Sequence, residues 1–355
     1  MKIGIITQPL TTNYGGILQN FALQTVLRRM GHEVWTLDIY KYTWINWING
    51  FCRLIVYKLL GRNVELPKTP KQQRMLEYPL RKFVHKHISL TRPRTTWFQK
   101  NIVDKYGLEG LVVGSDQVWR PMYNSDIADS FLKFVSRKSI KRIAYAASFG
   151  TDVWEFKKKQ TIICSDLAKK FDAISVREIT GIGLCEKYLG VNASHVLDPT
   201  LLLTDKDYKV LCADIKKQEP FVFAYILDEG EQKITEIKKF AEMKGLPYYI
   251  MSAGPNIGQD DSIEKWLSYF RDAAYIITDS FHGTAFSINF NKPFYVFLNK
   301  GRGNSRFESL LRSLELQNRI MLNTICDLPD INWTSVYQLL NKEKEYSLRW
   351  LLSAL

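Results

Sequence analysis

The segment Thr278-Asp279-Ser280-Phe281-His282-Gly283-Thr284-Ala285 carries the residues best suited to chemistry. It follows an apolar run at 273–277 and precedes a helical apolar pattern at Ala285 and Ile288. A strand that breaks at Asp-Ser and re-enters a helix through His-Gly-Thr leaves unpaired N–H groups at the positive end of a helix dipole. Such a place holds anions, so the expected ligand carries phosphate or carboxylate. Histidine in that turn has no packing role the sequence suggests, and its imidazole can hold or move a proton. Other apolar runs also end in polar groups: Gly114-Ser115-Asp116 brings a carboxylate, Arg177-Glu178 a guanidinium, and Arg302 and Arg306 follow a later run. Arginine forks match carboxylate and phosphate on one small ligand, and a single acid among them could act as general acid or base. Each group has a plainer alternative. Asp116 is equally suited to capping a helix, and Arg177 with Glu178 to forming a surface pair.

The elements that must position these groups alternate between strand and helix. A strand at 3–6 leads through Thr11-Thr12-Asn13-Tyr14-Gly15-Gly16 into helical spacing at Leu18, Phe21, Ala22, Thr25 and Val26, then a strand at 34–37. Gly15-Gly16 allows close approach of backbone to a ligand, or simply a tight turn. Further strands are expected at 111–113, 142–147, 173–176 and 195–197, with helices at 157–170 and 180–189. A second series follows: strand 221–227, helix 233–244, strand 248–251, helix 262–271, strand 275–278, helix 283–290, strand 294–297. Such alternation predicts parallel sheets. The length of 355 residues fits two domains of ~150–200 residues, divided near residue 203. The pattern at 337–355 is helical and could cross back over the first domain.

Composition is that of a folded chain, with 46% hydrophobic and 24% charged residues. Five scattered cysteines without a CxxC pair suggest neither a disulfide framework nor a zinc site. The start, Met1-Lys2-Ile3-Gly4-Ile5-Ile6-Thr7, reads as strand and turn rather than a signal peptide, so a cytoplasmic protein is expected. Net charge is +13, and the stretch from Arg53 to Lys105 holds 13 Lys/Arg against 3 Asp/Glu. Such a segment suits a polyanionic surface. Residues 44–60 place Trp44, Ile48, Phe51, Ile55 and Leu59 on one helical face, too polar around it to span a bilayer. That stripe fits a membrane interface or packing on its own domain. No nucleic-acid motif accompanies the basic residues, so no nucleic-acid partner is expected.

Five motifs in one order then resemble the polysaccharide pyruvyl transferase family, over about residues 3 to 320. They are Asn13-Tyr14-Gly15-Gly16 with Leu18-Gln19 and Ala22-Leu23; Gly114-Ser115-Asp116-Gln117-Val118-Trp119; Ser175-Val176-Arg177-Glu178; Val196-Leu197-Asp198-Pro199-Thr200; and Thr278 to Thr284. The resemblance implies an α/β fold of two Rossmann-like domains facing a cleft, the GT-B architecture. Residues 1–203 would form the acceptor side with a basic and aromatic insertion at about 41–105, 204–330 the donor side, and 331–355 a terminal helix. It also implies phosphoenolpyruvate as co-substrate, no redox cofactor and no obligatory metal. The acceptor would be a sugar with two free hydroxyls in a capsular, exopolysaccharide or cell-wall glycan, and the product a pyruvate ketal.

By that similarity His282 holds the donor phosphate and assists its departure, with Arg177 on carboxylate or phosphate and Ser280, Gly283 and Thr284 in the same donor-side turn. Many members carry Arg where this chain has Ser280, which makes Arg302 or Arg306 the candidate replacement. Asp116, Ser115 and Gln117 fall on the acceptor side with the loop Asn13, Tyr14, Gly15 and Gly16. If the acceptor is lipid-linked, residues 44–105 are the candidate contact with an anionic inner leaflet. Two competing readings are a nucleotide-sugar glycosyltransferase of the same architecture, for which no clear base-stacking aromatic and ribose-binding acid are visible, and a non-catalytic scaffold of polysaccharide assembly.

Overall fold

The computed structural model describes residues 1–40, 48, 51, 68–96, 98–124, 126–137, 139–213, 219–256, 261–298, 303–322 and 324–355. Two wholly parallel sheets form its frame. The first contains β1 (Lys2–Ile6), β2 (Glu33–Thr36), β3 (Gly110–Val113), β4 (Lys141–Ala147), β5 (Ala173–Val176) and β6 (Ser194–His195), in the order β2-β1-β3-β4-β5-β6. The second contains β7 (Val222–Tyr225), β8 (Tyr248–Met251), β9 (Tyr275–Thr278), β10 (Phe294–Phe297) and β11 (Ile320–Met321), in the order β11-β10-β9-β7-β8. The central strands β3, β7 and β10 are buried at every position, which is why they read as continuous apolar runs rather than alternating ones. The fold is α/β, two Rossmann-like units facing a cleft at the carboxyl ends of their strands.

Helices position the site. They are α1 (Tyr14–Arg29), α2 (Pro70–His87), α3 (Ile263–Asp272), α4 (Phe281–Asn289), α5 (Ser305–Ser313) and α6 (Trp333–Ala354). Asn13 caps α1 by accepting from the Gly16 N–H, and Ser280 caps α4 by accepting from the Gly283 N–H. Each such cap stabilises a helix by about 1 kcal/mol. An apolar cluster runs from Ile3, Ile17 and Leu23 of the first half to Phe223, Trp266 and Phe286 of the second. At its centre the Tyr14 ring stacks on Trp266 with centroids 5.6 Å apart, and its hydroxyl donates to the Asp261 carbonyl at 2.9 Å. Helix α6 touches both halves: Tyr337 bonds Asn291, the Ser347 hydroxyl accepts from the Leu197 N–H, and Trp350 packs near Tyr145.

Helix α2 lies in the basic segment and was not expected from the pattern. Thr69 and Gln72 form a capping box, Pro70 opens the helix, and Leu76, Leu80, Phe83 and Val84 are buried. Its buried face also carries Glu77 and Arg81, and Pro79 interrupts it, so the apolar stripe is broken in sequence. Arg81 pairs with buried Asp38 at 2.7 Å, and Arg94 lies within 3.4 Å of both Asp38 and Glu77. Part of the positive charge of this segment is therefore neutralised within the fold. The stripe read over residues 44–60 lies outside the described residues except for Ile48 and Phe51, both exposed. No helix among the described residues is long and apolar enough to cross a membrane.

Candidate functional site

The two halves meet around a polar cavity of about 170 Å³. Thr12, Asn13, Asp116 and Gln117 line it from the first half; Ser280, His282 and Arg306 face them from the second, with Tyr225 and Phe281 among the apolar walls. A second cavity of about 340 Å³, lined by Gln8, Pro9, Thr11 and Tyr123, shares Asn13, Asp116 and Gln117 with the first. Asp116 thus stands between the two spaces. Its φ of 73° is one that residues other than glycine rarely adopt, at a cost of about 1–3 kcal/mol. The carboxylate so aimed accepts from the Gln117 N–H at 2.8 Å and from Asn13 Nδ2 at 3.4 Å.

Behind Asp116 lies a buried charge network. Arg177 donates to Asp198 Oδ2 at 2.7 Å and approaches Asp116 at 3.6 Å. Asp198 also accepts from the Ser115 hydroxyl at 2.9 Å and from both the N–H and hydroxyl of Thr200. Burial pushes the Asp198 carboxyl up, but the Arg177 charge, then that of His282, and the hydrogen bonds from Arg177 and the Thr200 N–H outweigh it and hold it at about 2. Burial likewise pulls Arg177 down, and the carboxylates of Asp198, Asp116 and Glu178 more than offset it. Arg177 and Glu178 are not a surface pair: they are 2% and 0% exposed. Glu178 instead holds the Ser148–Gly150 turn, accepting from the N–H groups of Phe149 and Gly150.

The opposite wall is differently made. His282 sits in the first turn of α4, with its Nδ1 side against Gly15: a Cβ on Gly15 would lie 2.0 Å from that nitrogen. Gly15 is therefore required for the imidazole to seat across the cleft. Its Nε2 is buried, has no hydrogen-bond partner among the described residues, and lies 3.8 Å from Asp198 Oδ2. Burial first, then Arg177 and Arg306, pull the imidazole down to about 4 against the opposing carboxylates, so it is neutral at pH 7. Burial and the nearby Arg177 charge also pull Arg306 down to about 10. Both guanidinium groups lie near the Phe281 ring, at 4.6 Å for Arg177 and 5.9 Å for Arg306.

Of the residues singled out by sequence, Asn13, Asp116, Gln117, Ser280, His282 and Arg306 meet at the cavity, with Arg177 just behind. Gly16 packs between Asn13 and Asp116. Tyr14, Ser115, Gly283 and Thr284 turn away from it: Tyr14 into the contact with Trp266, Ser115 onto Asp198, Gly283 against Thr278, and Thr284 onto the Ser280 carbonyl. Arg302 lies outside the described residues. Phe281 and Asp198 were not assigned roles by sequence, although both stand in the motifs quoted above. No group of three or more His, Cys, Asp or Glu suited to a metal ion occurs among the described residues.

Solved structures resembling nearly the whole chain include an alpha-glucosyltransferase in complex with UDP and a 13-mer DNA (10% identity, 99% of this chain and 95% of that one, TM-score 0.47). Others are the UDP-GlcNAc 2-epimerase of Methanocaldococcus jannaschii (12%, 96% and 99%, TM-score 0.43) and the E. coli heptosyltransferase WaaC with ADP (10%, 97% and 100%, TM-score 0.42). At such identities and scores they bear on neither ligand nor reaction. No curated protein matches the sequence. The family model for polysaccharide pyruvyl transferase, in contrast, matches residues 13–301, from the loop that seats His282 to just past β10. The chain belongs to the polysaccharide pyruvyl transferase family, and is thereby a transferase of polysaccharide modification.

Proposed function

We propose that the protein transfers the pyruvate unit of phosphoenolpyruvate onto two hydroxyls of a sugar, forming a ketal and releasing phosphate. The observation that carries this reading is the pairing of Arg306 with a neutral, buried His282 on one small polar cavity. Two basic side chains pulled down by burial and by the charge of Arg177 are poised for an anion, which would favour both charged forms. A volume of about 170 Å³ suits a small doubly charged acid. Pockets for larger organic ligands run to roughly 300–1,000 Å³. Arg306 takes the place of the arginine that many relatives carry at the position of Ser280.

The adjoining cavity of about 340 Å³ is the proposed acceptor site. Asp116, facing both spaces, takes the proton of the first hydroxyl as its oxygen adds to the donor's central carbon. The terminal methylene carbon gains a proton in exchange for the one Asp116 took, which the carboxyl gives up again, and becomes the methyl group. The bond from the central carbon to the bridging oxygen then breaks, and its electron pair leaves with phosphate. The second hydroxyl closes on the same carbon, and its proton ends on the released phosphate. Holding both hydroxyls beside the donor supplies much of the acceleration. No redox partner is needed by this sequence of bonds.

We assign the acceptor to a lipid-linked glycan, with anionic lipid contacted through the exposed basic residues Lys71, Arg74, Lys82, Lys86, Arg92 and Lys100. Flotation with anionic liposomes tests this; absence of binding at low salt rejects it. The reaction itself is tested by acceptor-dependent phosphate release from phosphoenolpyruvate. Arg306→Gln should raise KM for phosphoenolpyruvate by about 10–100-fold, the size of a lost charge-assisted hydrogen bond. Turnover of a UDP-sugar with none of phosphoenolpyruvate would overturn the proposal.

A further inference from the structure

We infer that Asp198 is the positioning residue for His282: from the opposite half of the cleft, its carboxylate is the counter-charge that lets the imidazole take up a proton when an oxyanion occupies the cavity. The inference rests on the donor site proposed above and adds how that site acquires its charge. Three observations carry it. Asp198 is wholly buried, and its Oδ2 already accepts from Arg177 and Ser115 while facing His282 Nε2 at 3.8 Å. That separation is beyond a hydrogen bond, yet Nε2 is buried and has no partner. Gly15 abuts the other side of the ring, so the imidazole cannot back away from the carboxylate.

A buried polar atom left unpaired costs about 1–3 kcal/mol, and such exceptions point to a state in which the partner arrives. Here a movement of about 1 Å would bring Nε2 to the 2.7–2.9 Å typical of a charge-assisted bond. The charged groups facing the ring are Asp198 and Asp116, which favour the imidazolium, and Arg177 and Arg306, which oppose it together with burial. A doubly charged oxyanion against Arg306 cancels one opposing charge and adds a favourable one. The proton comes from solvent. Protonated His282 and Arg306 then hold the anion from one side, while Asp198 keeps the imidazolium from standing as an unpaired buried charge.

The test is nitrogen NMR of histidine-labelled full-length protein at pH 7, titrated with phosphoenolpyruvate and, separately, with inorganic phosphate. Only five histidines are present, so the His282 ring can be assigned by difference with His282→Gln. Wild type should show a neutral ring when free and an imidazolium at saturation. Asp198→Asn should keep the ring neutral at saturation and weaken binding by about 10–100-fold. A wild-type ring that stays neutral with ligand bound overturns the inference and leaves the donor assignment standing. So does an Asp198→Asn variant whose ring protonates as the wild-type ring does. Should Asp198→Asn not fold, Asp198→Glu takes its place: it displaces the carboxylate, so the pH midpoint of ring protonation at saturation should shift from that of wild type, and an unchanged midpoint overturns the inference. If phosphate binds and protonates the ring but phosphoenolpyruvate does not bind, the inference stands and the donor assignment falls. If neither binds, both fall.

Discussion

The two walls of the cleft are built on opposite principles. On the first half, Asp116, Arg177 and Asp198 are buried charges neutralised by one another and by backbone donors. On the second, His282 is a buried titratable group kept neutral, its Nε2 unpaired, on the first turn of a capped helix. The first wall carries its own counter-charges, although Arg177 Nε and Nη2 are buried without a hydrogen-bond partner among the described residues; the second brings no acid of its own to His282. A self-paired charge network contributes rigidity, because removing any member strands the rest. An unpaired group contributes little to stability and much to a ligand that satisfies it. The walls should therefore separate under mutation, one reporting in stability and the other in turnover.

The largest contrast is expected from His282→Gln. Acceptor-dependent phosphate release should fall by about 10²–10⁴-fold, while the urea midpoint at pH 7 moves by less than about 1 kcal/mol equivalent. On the facing wall, Arg177→Gln should lower stability by about 3–5 kcal/mol, since it leaves Asp198 buried without its cation. A loss below about 1 kcal/mol, the level of an exposed pair, would erase the distinction between the walls. Gly15→Ala crosses from one wall to the other. Its methyl group would displace the imidazole, and turnover should fall by about 10²-fold with the thermal midpoint much less affected. Equal losses in Gly15→Ala of folding and activity would show the glycine serving only its own turn.

The smallest effect is in pH dependence. The His282 imidazole stands at about 4 in the folded chain against an ordinary value of 6.5. Between these values the unfolded chain binds a proton that the folded chain refuses, so stability falls as pH falls through that window. Asp198, held at about 2, contributes its stabilisation throughout it and loses it only in stronger acid. Urea unfolding at pH 7.5 and pH 5 should show wild type losing about 1–2 kcal/mol more than His282→Gln. Parallel losses would mean that the other histidines carry the effect.

The fold class was legible because its strands are short, buried and bounded by polar turns, so apolar runs such as 111–113 and 294–297 stand out without alternation. Helix α2 was not, because Glu77 and Arg81 occupy its buried face and their partners Asp38 and Arg94 lie far along the chain. Within the candidate site, several of the strand-end polar residues named from the sequence converge on one cavity. Which of them face the cavity is a matter of one residue's rotation in a tight turn: Ser280 and His282 line it, whereas Gly283 and Thr284 pack inward. The seating of His282 against Gly15 joins residues 267 positions apart, as the numbering itself shows, and no local pattern encodes it. Asp198 hides for a similar reason. Its carboxylate reads as a cap for Thr200, and only the packing of the halves adds the imidazole opposite.

Helix α6 sets how these halves can move. It is 22 residues long, hence a rod of about 33 Å; Tyr337 bonds it to Asn291 and Ser347, about 15 Å further along, bonds it to Leu197. One rigid helix tied to both lobes resists their drifting apart and leaves a tilt about its own line as the easier movement. Fluorophores placed on the two lobes should then register a small angular swing on ligand entry, with the span along the strut unchanged.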